Sequence, residues 1–256
     1  GNGLKQFGNK PGTYLNETNT GTGSLSVDKI WYTFPVGDKI TGTIGPKIEN
    51  YYMLAAAPSA YKPKLLKAFR FGGHGAAFGA STSTGFGLKY EGDNGFASSV
   101  TLNSKGANDG SGFLTKDDEN KTNVMLAYTA DNYHVSATYT TQSHGWDAWT
   151  YYATGNISDG ADMNADGWAL RAWFRPDETG TAVPSVSVGY DTLSITNSTN
   201  SFTDASGYSI AFNWEDIFQA DDTIGIAFGQ PIKGTEPTEE TIDPFLWEAY
   251  YSFRPN

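Results

Sequence analysis

Cysteine is missing from this chain of 256 residues. Its absence excludes a disulfide framework, a zinc–thiolate site and a thiol nucleophile, and leaves the compartment open. No stretch approaches ~18 consecutive apolar residues, so no membrane-spanning helix is expected. Positive charge is scarce: 17 Lys+Arg stand against 28 Asp+Glu, a net charge of −11. With no long basic run, that balance argues against nucleic acid as a partner, which needs a cationic footprint. Catalytic signatures are missing too. His74, His134 and His144 lack ligand spacing, and there is no nucleophile elbow, phosphate-binding loop or dinucleotide fingerprint. Adjacent acids such as Asp117-Asp118-Glu119 and Glu239-Glu240 fall in long connections and read as solvated surface. No enzymatic activity is expected. The chain begins Gly1-Asn2-Gly3 without a signal-peptide pattern, so a mature, processed or partial chain is expected.

What the sequence does have is aromatic side chains and glycine. Seven Trp, 15 Tyr and 15 Phe occur in a chain whose hydrophobic content is only 38 %, together with 30 Gly. Period-two alternation explains the pairing of low hydropathy with many rings. Along 133–139, Tyr133, Val135, Ala137 and Tyr139 alternate with His134, Ser136 and Thr138. Along 168–175, Trp168, Leu170, Ala172 and Phe174 alternate with Ala169, Arg171, Trp173 and Arg175. Along 207–214, Tyr208, Ile210, Phe212 and Trp214 alternate with Gly207, Ser209, Ala211 and Asn213. Successive strand side chains point to opposite faces, so each run has one apolar face and one polar or small face. No segment sustains a 3.6-residue period. The chain reads as all-β, with about eleven strands near 24–35, 39–48, 81–91, 95–104, 121–130, 132–142, 166–176, 181–193, 206–216, 221–229 and 244–254.

The connections alternate short and long. Short ones include Val36-Gly37-Asp38-Lys39, Gly92-Asp93-Asn94-Gly95, Asp131-Asn132, 176–180 and 216–222; long ones cover about 49–80, 105–120, 143–165, 194–205 and 230–243. In an up-and-down antiparallel meander every second connection lies at the same end, so short turns gather at one end and long loops at the other. Together with strands of ~9–11 residues, this predicts an antiparallel up-and-down transmembrane β-barrel. The apolar faces carry aromatics near their ends: Tyr32, Phe34, Tyr90, Tyr128, Tyr133, Trp168, Phe174, Tyr208, Trp214, Tyr251 and Phe253. The opposite faces carry Thr41, Thr43, Ser99, Thr101, Ser136, Thr138, Ser185, Ser187 and Asn213, which cannot pack a dry core and suit a wet lumen.

The segment 27–45, with Ile30-Trp31-Tyr32-Thr33-Phe34-Pro35-Val36-Gly37-Asp38 at its centre, resembles the strand–turn–strand signature of cyanobacterial outer-membrane porins, relatives of the carbohydrate-selective porins. Phe69-Arg70-Phe71-Gly72-Gly73 and the run Gly79 to Tyr90 are similar to the segment after that hairpin in members of the family. The likeness covers most of the chain in layout and is motif-specific over 27–90. It implies one porin domain over 1–256, part of a barrel of about sixteen strands, an even number as in bacterial single-chain barrels. The family's surface-layer-homology domain has no counterpart here. Also implied are an outer-membrane location in a Gram-negative, cyanobacterial cell, lipid and small solutes as partners, and a homotrimer. The implied function is passive diffusion of small hydrophilic solutes, chiefly inorganic ions, with small sugars as a further class.

Lys62, Lys64, Lys67 and Arg70 fall close together in the connection 49–80 of an acidic chain. The resemblance implies that a loop at this place folds inward and narrows the pore, where a ring of cations would favour anions; a solvated or headgroup-facing helical turn is the alternative. Arg171 and Arg175 line the inward face by register, Lys29, Lys47 and Lys89 share that parity, and Glu248 adds an acid. Trp31 and Trp173 also turn inward, either as an apolar track for sugars or as packing around a folded-in loop. Asp162-Met163-Asn164-Ala165-Asp166-Gly167 matches the first half of a calcium loop. The twelfth position is Trp173 in place of the bidentate Glu, so it is no EF-hand. Asp162, Asn164 and Asp166 are therefore candidate calcium ligands, with ordinary turn chemistry as the alternative; no other cofactor is expected. Two other functions compete with the channel: a cell-surface adhesin or receptor binding glycans through Trp146 and Trp149, and a β-fold glycoside hydrolase.

Overall fold

A computed structural model describes residues 27–73, 77–78, 82–108, 112–115, 118–144, 146, 163–196, 203–235 and 245–254. Eleven strands form one sheet in chain order. They are β1 (Ile30–Val36), β2 (Ile40–Glu49), β3 (Thr82–Glu91), β4 (Phe96–Ser104), β5 (Asn120–Thr129), β6 (Tyr133–Gln142), β7 (Asn164–Phe174), β8 (Ser185–Thr196), β9 (Asp204–Glu215), β10 (Thr223–Thr235) and β11 (Leu246–Ser252). Each pairs antiparallel with its sequence neighbours, an up-and-down meander. Among the described residues β1 and β11 are the two edges of the sheet. The helical content described is three short 3-10 turns, at Asn50–Met53, Lys67–Gly72 and Gly106–Asn108.

All eleven expected runs are strands, with shifted ends. β8 and β10 run on to Thr196 and Thr235, past the expected ends at 193 and 229. The contrast in connection length holds as far as the connection 143–163 and is lost over β7 to β11, where the expected short turns 175–184 and 216–222 are no shorter than the expected long loop 197–203. β10 continues through Pro231 because the ladder with β9 slips between Gln230 and Lys233. A second slip, between Gly45 and Ile48 of β2, contains Pro46. Proline has no N–H for the ladder, and a bulge is where a strand tolerates it. The β2 bulge also corrects one expectation. It reverses the alternation, so that Ile48 is buried while Lys47 is exposed and donates its Nζ to the Val27 carbonyl.

The two faces of the sheet are inverted relative to a water-soluble protein. The covered face is polar: Ser99, Thr101, Asn103, Lys121, Asn123, Thr138, Thr140, Arg171, Ser187, Asp191, Ser209 and Glu248 are all buried. The uncovered face carries Leu88, Val100, Leu126, Val135, Leu170, Val188 and Ile226, all exposed. Aromatic rings bracket these aliphatic residues. On β6 Tyr133 and Tyr139 lie six residues apart, as do Trp168 and Phe174 on β7 and Tyr208 and Trp214 on β9, a separation of about 20 Å along a strand. Rings of adjoining strands touch in both rows, Tyr128 with Tyr133 at the turn end and Tyr139 with Trp168 at the other.

The turn between β9 and β10 is organised by one carboxylate. Asp222 accepts the backbone N–H groups of Ile217, Phe218 and Gln219 and the hydroxyl of Tyr251. Desolvation pushes its pKa up, but the donated hydrogen bonds outweigh it and hold the carboxyl below the usual carboxylate range. A depressed folded-state pKa means the stabilisation is complete above the unfolded value of ~3.9 and is lost as pH falls through the folded value. The wild-type midpoint of thermal unfolding is therefore expected to fall more steeply below about pH 4 than that of Asp222→Asn, with parallel pH profiles as the contrary result.

Candidate functional site

The polar face is covered by the chain between β2 and β3. Residues 50–73 and 77–78 lie across it, tied by side chains from six strands. At β4, Ser99 Oγ accepts the N–H of Ala55 at 3.2 Å. At β5, Asn123 Nδ2 donates to the Ala77 carbonyl at 3.1 Å, which also accepts Asn50 Nδ2 at 2.9 Å. At β7, Trp173 Nε1 donates to the Ala57 carbonyl at 3.0 Å. At β8, Ser187 Oγ accepts both Ala60 and Tyr61 N–H, and at β9 Ser209 Oγ donates to the Gly72 carbonyl at 2.6 Å. Where the loop's backbone is pressed against the sheet it must find partners, and short Ser and Asn side chains on the sheet supply them.

Two charged residues make the tightest attachments. Arg171 is 3 % exposed. Its Nε donates to the Phe71 carbonyl at 2.6 Å and its Nη2 to the Gly73 carbonyl at 2.9 Å, while Nη2 also pairs with Asp191 at 2.8 Å. Nη1 donates to the Leu170 and Tyr190 carbonyls, and the guanidinium lies 5.0 Å from the Phe78 ring. The turn that Arg171 grips needs unusual backbone: φ is positive at Phe71, Gly72 and Gly73. Glu248, on β11, is the second anchor. Its Oε1 accepts the Tyr61 hydroxyl at 2.6 Å and its Oε2 accepts the N–H groups of Leu65 and Leu66 at 3.1 and 2.7 Å. Burial first, and then the bond to Glu248, push the Tyr61 pKa far above the normal phenol range. Apolar packing adds to both anchors, as Tyr61, Ala68 and Phe69 join Met163, Leu193, Ile195, Ile232 and Leu246 in a buried cluster.

The residues singled out in the sequence are thereby sorted. Arg171 and Glu248 lie on the polar face, as their register requires, and both hold the loop. Arg175 lies just past β7, its guanidinium 4.5 Å from the Trp173 ring. Lys89 is on the polar face near the turn end and pairs with Glu91 at 2.9 Å. Trp173 and Trp31 both meet the loop, Trp31 through an edge contact with Tyr52 at 5.3 Å. Lys62, Lys64, Lys67 and Arg70 all belong to the covering loop. The loop curls around an open cavity of about 620 Å³, lined by Tyr51, Leu54, Tyr61, Phe71 and neighbours, with Lys62 and Arg70 among its walls. Burial pushes the Tyr51 pKa up to about 12, with Arg70 beside it acting the other way.

Of the candidate calcium ligands, Asp162 lies outside the described residues, as do His74 and Trp149. Asn164 and Asp166 begin β7, where Asn164 Oδ1 accepts the His144 N–H and Asp166 Oδ1 accepts the Tyr139 hydroxyl. Among the described residues no group of three or more His, Asp or Glu side chains is placed to hold a metal ion. His134 is buried between the Thr129 and Ser136 hydroxyls and stacks on Trp173.

Sequence reasoning passed over Ser187, Gly189, Asp191 and Ser209 as attachment points. The available signal is a run of small residues on one face of two adjacent strands, which marks close approach of another backbone. Thr101, Thr138, Thr140 and Gln142, also on the polar face, have buried side-chain atoms with no hydrogen-bond partner among the described residues. No family model matches the chain, and no match is found among curated proteins.

Proposed function

We propose that this chain forms the wall of an outer-membrane porin, a water-filled β-barrel through which small hydrophilic solutes diffuse passively. The observation that carries the reading is the inverted sheet. An exposed aliphatic band on so many consecutive strands is a liability in water and is what hydrocarbon requires. Aromatic rows above and below the band suit the two interfaces, where amphipathic rings settle. The polar face, with its hydroxyl and amide groups left over for hydration, suits a lumen, and a loop tied across that lumen sets its width.

The adhesin reading accounts for the loops and leaves the apolar face without a covering. Hydrolysis has no paired carboxylates to rest on among the described residues of the cavity wall. Further strands completing the barrel, a trimer and a cyanobacterial outer membrane belong to the proposal through the resemblance of 27–90.

Two measurements test it. Purified protein added to a planar bilayer is expected to give stepwise conductance. In liposomes of brominated lipid, emission from Trp168 and Trp247, which face outward, is expected to be quenched, while that from Trp173, held under the loop, is spared. Single-Trp variants separate the signals. A water-soluble monomer without conductance, or quenching of Trp173 ahead of Trp168, would overturn the reading.

A further inference from the structure

The net charge of −11 suggests a channel that prefers cations. The arrangement of charges beneath and within the loop points the other way. Among the described residues the acids that meet the loop are engaged in attachments. Asp191 is paired with Arg171. Glu248 is saturated by the Tyr61 hydroxyl and two backbone N–H groups. Glu49, at the loop's start, is bound by Lys29 and the Thr82 hydroxyl. The loop's own cations are not consumed. Lys62 and Lys64 are exposed and Lys67 and Arg70 partly so, and among the described residues no carboxylate forms an ion pair with any of them. Arg70 is steered by rings alone, its guanidinium 5.7 Å from the Tyr51 ring and 5.2 Å from the Phe71 ring. The charged side chains lining the cavity in the loop are Lys62 and Arg70, both cationic.

We infer that the loop makes the channel selective for small anions, with Lys62 and Arg70 as the residues that set the preference. The inference rests on the channel reading and deepens it by naming the solute class. The Arg171–Asp191 pair contributes only a short-range dipole field and Glu248 keeps one buried negative charge, whereas four loop cations without an acidic partner at a narrow, low-dielectric passage raise the local concentration of anions and lower that of cations. Among the described residues, acids such as Asp38, Asp93, Asp177 and Asp221 sit in the short turns between strands, and exposed charges are screened beyond about 10 Å at 0.1 M salt.

The test is the reversal potential across a planar bilayer with a KCl gradient. Wild-type channels are expected to give a potential of the sign set by chloride, corresponding to a chloride-over-potassium permeability ratio of about three or more for two cations near the path. The double variant Lys62→Gln/Arg70→Gln is expected to bring that ratio to about one or below, with conductance steps retained. Lys39→Gln, at an exposed turn where Lys39 pairs with Asp93, is the control expected to keep the wild-type potential. Conducting wild-type channels with a potassium-signed or zero potential overturn the inference and leave the channel standing. So does a chloride preference unchanged in the double variant, which removes the assignment to Lys62 and Arg70. Absence of conductance from wild type overturns the channel reading and the selectivity with it.

Discussion

Replacing Arg171 by methionine is expected to cost about 3–5 kcal/mol of stability and to enlarge the single-channel conductance. The arginine is enclosed between sheet and loop, and so is Asp191. Removing the cation takes the ion pair away from a buried carboxylate and withdraws the donor that holds the Phe71 and Gly73 carbonyls. A buried charge left without its counterion dominates such a loss, and replacing both partners recovers much of it. Arg171→Met/Asp191→Met is therefore expected to regain most of the urea midpoint while keeping the enlarged conductance, because the guanidinium's grip on the loop is still missing. Urea unfolding of the liposome-inserted protein and bilayer recording separate the two effects. If Arg171→Met unfolds at the wild-type midpoint with wild-type conductance, the clasp has no role in holding the loop.

The second large effect is expected at Gly189, which makes no polar side-chain contact at all. A Cβ built there would lie 1.7 Å from the Gly72 carbonyl oxygen, a separation no side chain can occupy. Gly189→Ala is expected to lift the turn 71–73 from β8, cutting the Ser209 and Arg171 bonds to it. The destabilisation expected from overpacking is about 1–3 kcal/mol. Once the turn is lifted, the backbone at Lys64 and Lys67 is free to leave the sheet and enter a protease site, so trypsin is expected to nick this variant in the loop faster than wild type. Equal resistance in both proteins would show that the turn moves aside without releasing the loop.

Most of the sheet is legible in the sequence because its signal is local. Alternation such as Tyr133-His134-Val135-Ser136 sets both the strand and the direction of each side chain, and at the short turns the connection is too short for anything but an antiparallel neighbour. The errors occur where that local rule is interrupted. Pro231 reads as the end of a strand and is a bulge within one; Pro46 hides a bulge that turns Lys47 outward. The candidate site is less legible because its bonds join residues far apart in the chain. Arg171 and Glu248 are visible as charges on a polar face, but nothing near them in sequence names Phe71 or Tyr61 as partners. That both serve as anchors for the loop emerges only from the fold.

The attachment of Tyr61 to Glu248 also orders events during folding. The two residues are separated by 187 positions, while each strand pairs with its immediate neighbour. Hairpins form by closing short segments, and contacts of large sequence separation are slow to form. The loop comes after the second strand in the chain yet takes its last hold on the eleventh. Its hold on Glu248 can therefore form only once the last of the eleven strands is in place.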